Sequence, residues 1–241
     1  MSWIFRGMRR FYQKASVTAS PSGFAIALDG KLVKTPGKRV VSLESRPLAL
    51  AVAEEWESQT PEIVPAAMPL MKLAATAIDR VTAARADVIE NAATYAASDL
   101  LCYRADSPPE LAARQAAAWQ PLVEWASSRF DAPLEVTTGI TAIPQPMSSL
   151  CRLREVLEAV DVMSLTAIAD LTGLMGSLVL ALAIWDQRLD AAAACDAALL
   201  DEAFQSERWG VDEEAALRLR NIRAEISAAA RFMALHRAGL E

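Results

Sequence analysis

The chain changes its hydrophobic period once, at Ser45-Arg46-Pro47, and that change restricts the class of fold open to it. Before this point the pattern is short and strand-like. After it, apolar residues recur three and four apart, the spacing of one helix face. In the first stretch Phe24–Leu28 and Lys31–Thr35 flank Asp29-Gly30. An Asp-Gly pair between apolar runs predicts a tight hairpin, because both turn positions need positive φ. Pro36-Gly37-Lys38 then leads into Arg39–Leu43, so a three- or four-stranded antiparallel meander is expected between about Ser16 and Leu43.

In the second stretch Leu48–Thr60 carries Leu48, Val52 and Trp56 at i, i+4 spacing and stops at Pro61. From Met68 onward helices are expected over Met68–Val81, Ala86–Ala97, Pro109–Phe130, Ser149–Leu157, Ser164–Leu171, Gly173–Asp186, Asp190–Arg208 and Asp212–Leu240. Leu134–Ile143, β-branched and set between Pro133 and Pro144, reads as an extended connector. Asp190 and Asp212 are placed to cap helix starts, and Gly210 to end the helix before it. The expected fold is α+β: a small N-terminal antiparallel β-meander with a helix (residues 1–66), followed by a larger, mainly α-helical bundle domain (residues 67–241).

Composition narrows the function. Apolar residues make up 53% of the chain, enough for a core, and the net charge of −6 argues against a nucleic-acid partner, which calls for a basic face. Cys102, Cys151 and Cys195 are odd in number and far apart, and read as reduced, buried thiols. The most apolar window, Leu171–Trp185, falls short of the roughly 20 residues a membrane-spanning helix needs, so it reads as a buried central strut. The N-terminus is the one basic region, with Arg6, Arg9, Arg10 and Lys14 and no acid before Asp29. As a helix it would put Trp3, Ile4, Met8, Phe11, Tyr12 and Ala15 on one face. Such a helix suits packing on the domain, or else a membrane-surface or targeting role.

Catalytic patterns are scarce. His236 is the single histidine, expected to face solvent near the C-terminus, and no zinc spacing or phosphate-binding glycine motif accompanies it. Gly173 and Gly176 read as points of close helix approach. The adjacent pairs Glu54-Glu55, Asp201-Glu202 and Glu213-Glu214 do not face each other on a helix. No catalytic residue, metal or cofactor is therefore expected. Trp56 is assigned to the core. Trp119 and Trp125, six apart on one helix, point to different faces, and Asp99 is expected to pair with Arg104 inside the protein.

The segment Asp201–Ala215 (DEAFQSERWGVDEEA) sets Asp201, Glu202, Glu207, Asp212, Glu213 and Glu214 around Trp209, with Arg208 the one base. A charge run of this kind is ordinarily a solvated face. A large aromatic among acids is also the residue mix of an anchored interface. Phe204 and Gly210 read as its scaffold.

Six blocks in order, LDGKLVKTP (Leu28–Pro36), LALAVAEEWESQ (Leu48–Gln59), MPLMKLAATAID (Met68–Asp79), SDLLCYRAD (Ser98–Asp106), QAAAWQPLVEWA (Gln115–Ala126) and DEAFQSERWGVDEEA, together resemble the assembly chaperones of the F-type ATP synthase that bind its α subunit, known from mitochondria and α-proteobacteria. Gln120 departs from that resemblance, standing where an acid is expected after Trp119. The resemblance implies a non-enzymatic chaperone that holds the unassembled α subunit and prevents its aggregation before α/β assembly. It would work in the bacterial cytoplasm or the mitochondrial matrix, with no nucleic-acid partner and no stable membrane insertion. Asp201, Glu202, Glu207, Trp209, Asp212, Glu213 and Glu214 are then the expected partner contacts. The alternative is a carboxylate-dependent small-molecule enzyme with its site between the two domains.

Overall fold

Asp29 and Gly30 both adopt positive φ (48° and 82°), the backbone of a tight primed turn, and this turn joins β2 (Gly23–Leu28) to β3 (Lys31–Leu32). The computed structural model describes residues 8–139, 141–210 and 212–240. β1 (Ala15–Ser20) pairs antiparallel along the whole of one edge of β2, from Ala15 opposite Leu28 to Ser20 opposite Gly23. β3 and β4 (Ser42–Leu43) share the other edge. Gly23 sits at φ 122°, and a Cβ there would run into the backbone of Leu43 and Glu44, so only glycine fits where β4 crosses close to it.

The chain forms two compact units. One holds the residues up to Arg85 with Val162–Ala167 and Arg231 onward; the other holds Ala86–Asp161 and Ile168–Ala230. In the first, α1 (Arg46–Glu57) starts on Ser45, whose hydroxyl oxygen accepts from the Leu48 amide at 3.2 Å, with Pro47 in its opening turn. Leu48, Ala49, Val52 and Trp56 are buried on its inner face, and α1 packs on β1 and β2, where Ala25, Ile26 and Ala27 are buried in turn. Trp56 is core, as expected. α2 (Pro69–Thr76) follows and ends in a wider turn over Ala77–Val81, so the helix expected over Met68–Val81 is present with a loosened end.

The basic N-terminal helix is not what forms where the chain is described. Trp3, Ile4 and Arg6 lie outside the described residues, and residues 8–14 are not helical. Arg9 makes an antiparallel bridge to Glu62, and the Arg10 guanidinium donates to the carbonyls of Tyr12, Gln13, Glu57 and Gln59. Tyr12 is buried, its hydroxyl donating to the Trp56 carbonyl. These long-range bonds hold the segment extended against α1.

In the second unit α3 (Arg85–Thr94) leads through two short 3-10 turns to β5 (Tyr103–Arg104), which pairs in parallel with β6 (Thr137–Thr138) inside the expected extended connector. α4 (Pro109–Phe130) and α5 (Met147–Ala159) match their expected spans closely. α6 (Val162–Met175) and α7 (Leu178–Trp185) replace the two helices divided at Gly173. The break falls instead at Gly176, at φ 66°, and Ser177 caps α7, while Gly173 lies within α6. Leu178–Ile184 are all buried, so the apolar window is internal as expected, but as the end of one helix and the whole of the next. The helix expected over Asp190–Arg208 is likewise two: α8 (Ala191–Ala198), capped by Asp190, and α9 (Leu200–Trp209), bent at the buried Leu199. α10 (Glu213–Arg237) closes the order.

Three further expectations are corrected. Cys102 and Cys195 are buried, but Cys151 on α5 is exposed. His236 is 3% exposed, because Phe232, Met233 and His236 form the inner face of the last turns of α10, where the Ser45 hydroxyl donates to the Leu235 carbonyl. Asp99 and Arg104 are both buried, yet each bonds elsewhere. Arg104 donates to the carbonyls of Leu101 and Gln115 and lies 5.4 Å from the Trp119 ring centroid, while Asp99 accepts from Leu101, Ser177 and Val179. Carbonyls and an aromatic face take the place of the expected ion pair. Among the described residues no helix is long and apolar enough to cross a membrane.

Candidate functional site

α9 buries one side chain, Phe204. Phe204 is 4% exposed, with the guanidinium groups of Arg114 and Arg208 at 5.2 and 4.9 Å from its ring centroid. Inserting Phe204 turns the opposite side of α9 to solvent, while Arg208 bonded to Glu110 helps tie the helix to α4. Asp201 and Glu202 occupy its first turn, where carboxylates suit the positive end of the helix dipole. Its end comes at Gly210, φ 80°, whose amide donates to the Ser206 carbonyl at 3.0 Å. Asp212 then accepts from the Ala215 amide at 2.7 Å and caps α10. Both signals expected from sequence, the glycine stop and the aspartate cap, operate here.

Trp209 stands at this corner 75% exposed, the most exposed aromatic among the described residues. Its ring lines a groove of about 220 Å³ together with Glu202, Gln205, Ser206, Asp212, Ala215, Arg218 and Leu219. Glu202 and Arg218 approach to 3.8 Å across it. Of the expected contacts, the structure therefore gathers Glu202, Trp209 and Asp212. Asp201 points toward α4, accepting from the Gln115 side-chain amide at 2.7 Å, and Glu207 pairs with Arg114 at 2.7 Å. Glu213 and Glu214 are exposed on the first turn of α10, outside the groove lining.

The groove continues into a larger hollow of about 590 Å³, which shares Glu202, Gln205 and Arg218 with it. Met175 and Leu199 are buried at its base, and Leu100, Leu174 and Ile222 are half-buried around it. None of these apolar residues was singled out from sequence as part of the site. The one available signal was the spacing of Ala215, Arg218, Leu219 and Ile222 on α10, which is that of a helix face.

The adjacent carboxylates Glu54 and Glu55 turn to different partners. Both Glu55 oxygens accept backbone amides of α2, Leu70 and Met71, each at 2.8 Å, while Glu54 turns outward to Arg231 at 3.8 Å. Burial raises the Glu55 carboxyl to about 7 against the pull of those two amides. Burial likewise lifts Asp99 to about 6 and the Cys102 thiol to about 12, so Cys102 is no nucleophile near neutral pH. Asp201 and Glu202 diverge to Gln115 and Arg218. In chemical terms the α9–α10 corner offers an aromatic anchor, acids and an apolar recess, which is equipment for binding.

Comparison with known proteins gives a consistent result. The family described as ATP12 chaperone protein matches residues 9–127. Among solved structures, the chain is similar to Atp12 from Paracoccus denitrificans, at 40% identity and a TM-score of 0.90 over 95% of this chain and 98% of that one. A point mutant of the P. denitrificans protein is similar at 39% identity and a TM-score of 0.91, covering 96% and 99%. A protein of Agrobacterium tumefaciens, named as a candidate chaperone, is similar at 35% identity and a TM-score of 0.89, covering 97% and 86%.

Proposed function

Because this chain belongs to the ATP12 chaperone family, we propose that it is a non-enzymatic assembly chaperone that binds the unassembled α subunit of the F-type ATP synthase and prevents its aggregation before α/β assembly. The observation that carries the reading is Trp209, 75% exposed at a capped helix corner beside Glu202 and Asp212. A bare tryptophan costs solubility unless it is covered for part of its working life. A subunit awaiting its neighbours has the matching problem, an apolar contact surface that aggregates when left open.

A chaperone of this kind must also let go. A groove with a polar rim and a limited apolar interior supplies moderate affinity, where a wholly hydrophobic face would hold the client. Asp201, Glu202, Glu207, Trp209, Asp212, Glu213 and Glu214 make up the proposed contact surface, with Glu202, Trp209 and Asp212 at its centre. The setting is the bacterial cytoplasm, or the mitochondrial matrix in a eukaryote, where unassembled α subunit is found.

Co-purification with isolated α subunit, and light scattering of α subunit held at a temperature where it aggregates, test the reading together. A stable complex and suppressed scattering are expected at equimolar chaperone. No complex, or scattering unchanged by the protein, would refute it.

A further inference from the structure

Two helix faces with the same spacing look at each other across the α9–α10 corner. On α9 they are Glu202, Gln205, Ser206 and Trp209, at i, i+3, i+4 and i+7; on α10 they are Ala215, Arg218, Leu219 and Ile222, at the same intervals. Faces of this kind ordinarily close on a neighbouring helix. Here they border two adjoining hollows that share Glu202, Gln205 and Arg218 and together form the channel, a smaller one of about 220 Å³ beside Trp209 and a larger one of about 590 Å³ over Met175 and Leu199. Seven residues of helix span roughly 10 Å, so the channel accommodates about two helical turns.

We infer that this channel seats an amphipathic helix of the client, its apolar side over Met175, Leu199 and Ile222 and one lysine or arginine directed at Glu202. The inference rests on the chaperone reading and specifies what that site receives. A helix is favoured over an extended segment because both walls are helices with internally bonded backbones, which leave no strand edge to extend. A base is favoured because the carboxylates of Glu202 and Asp212 line the channel against Arg218 alone, and the Glu202–Arg218 pair is long at 3.8 Å. A second copy of this chain is disfavoured, since a two-fold contact through this face would set acids against acids.

The test places a photo-crosslinking phenylalanine analogue at Gln205 or at Leu219 in the full chain and adds unassembled α subunit. The expected result is crosslinks from both positions to one helix of the α subunit, at residues three or four apart. Ala215→Trp, which fills the channel from a half-buried position, is expected to weaken the complex at least tenfold with an unchanged thermal melt. Crosslinks to a loop or strand of the α subunit, crosslinks to a second copy of this chain, or wild-type affinity in a folded Ala215→Trp protein would each overturn the channel inference while leaving the chaperone reading intact. If the unmodified protein forms no complex with the α subunit, the chaperone reading falls, and the inference with it.

Discussion

The hydroxyl of Ser177 donates to the Asp99 carboxylate at 2.7 Å, and the same oxygen accepts the Leu180 amide at 3.0 Å. One side chain thus caps α7 and ties the cap to a fully buried acid, which also accepts the amides of Leu101 and Val179. Asp99→Ala would leave these donors buried without acceptors. A loss of about 3–5 kcal/mol is expected, by analogy with breaking a buried charged network. Urea denaturation at neutral pH measures it, and a loss under 1 kcal/mol would mean that water replaces the carboxylate.

Two buried acids predict an unusual pH profile. Glu55 rises to about 7 and Asp99 to about 6, in both cases through burial first. The amides of Leu70 and Met71, and then Arg231, pull Glu55 the other way. With folded values above the unfolded ones near 4, the folded state binds more protons than the unfolded chain between about pH 4 and pH 7. Stability from these two groups is therefore greatest below that window and falls as pH rises through it. Asp29 and Glu57 act oppositely: backbone amides hold both low, so their contribution is present above the usual carboxylate range and is lost in more acid solution. Glu55→Gln is expected to flatten the decline between pH 5 and 7 in a denaturation series, and an unchanged slope would contradict the assignment.

Phe204 and Trp209 lie five residues apart on α9, and their substitutions should separate cleanly. Phe204→Ala removes a buried ring between two guanidinium groups and is expected to cost about 3–5 kcal/mol of stability. Trp209→Ala removes an exposed ring and should leave stability within about 0.5 kcal/mol. In the proposed function the second variant, but not a folded Phe204→Leu, weakens α-subunit binding at least tenfold. Parallel melts and binding titrations decide between these outcomes.

The acids of the segment should differ among themselves. Glu202 faces the groove, whereas Glu207 is paired with Arg114 on the α4 side. Glu202→Lys is expected to weaken the α-subunit complex at least tenfold, and Glu207→Gln less than threefold. Neither change should lower stability by more than about 1 kcal/mol, the usual worth of an exposed ion pair. Equal effects from both would point to a diffuse acidic field in place of a seated contact, and a steep salt dependence would accompany it.

Gly23→Ala tests the sheet. The new methyl would meet the Leu43 carbonyl at a positive φ, so strain and collision add. A loss of at least 2 kcal/mol is expected, about the upper end for a positive-φ position plus a forced shift of β4. A melt within 2 °C of the unmodified protein would show that β4 moves aside freely.

Much of the architecture was legible because it is written in short-range chemistry. Asp29-Gly30 specified a hairpin through two φ values, Asp190 and Asp212 specified helix starts through a hydrogen bond three residues away, and Gly210 ended α9 in the same local manner. Trp56 was assigned inward from its spacing and Phe204 as the scaffold of the acidic segment, and both are buried. Helix breaks were less legible: Gly173 and Gly176 look equivalent in sequence, and only Gly176 carries positive φ. In the alanine-rich stretch before α9 nothing marks the bend at Leu199.

The sequence by itself determined where the chain changes from strand to helix, that Asp190 and Asp212 cap their helices, and that Trp209 would sit among acids. All of these depend on residues within one or two turns of each other. Tertiary structure decided which partner each charged or polar group found across long separations. It gave Arg104 carbonyls and an aromatic face in place of Asp99, sank His236, held Arg10 and Tyr12 extended, and turned Glu202 toward Arg218 but Glu207 toward Arg114. A buried polar group bonds to whatever acceptor packing leaves within 3 Å, and packing is a property of the folded chain as a whole.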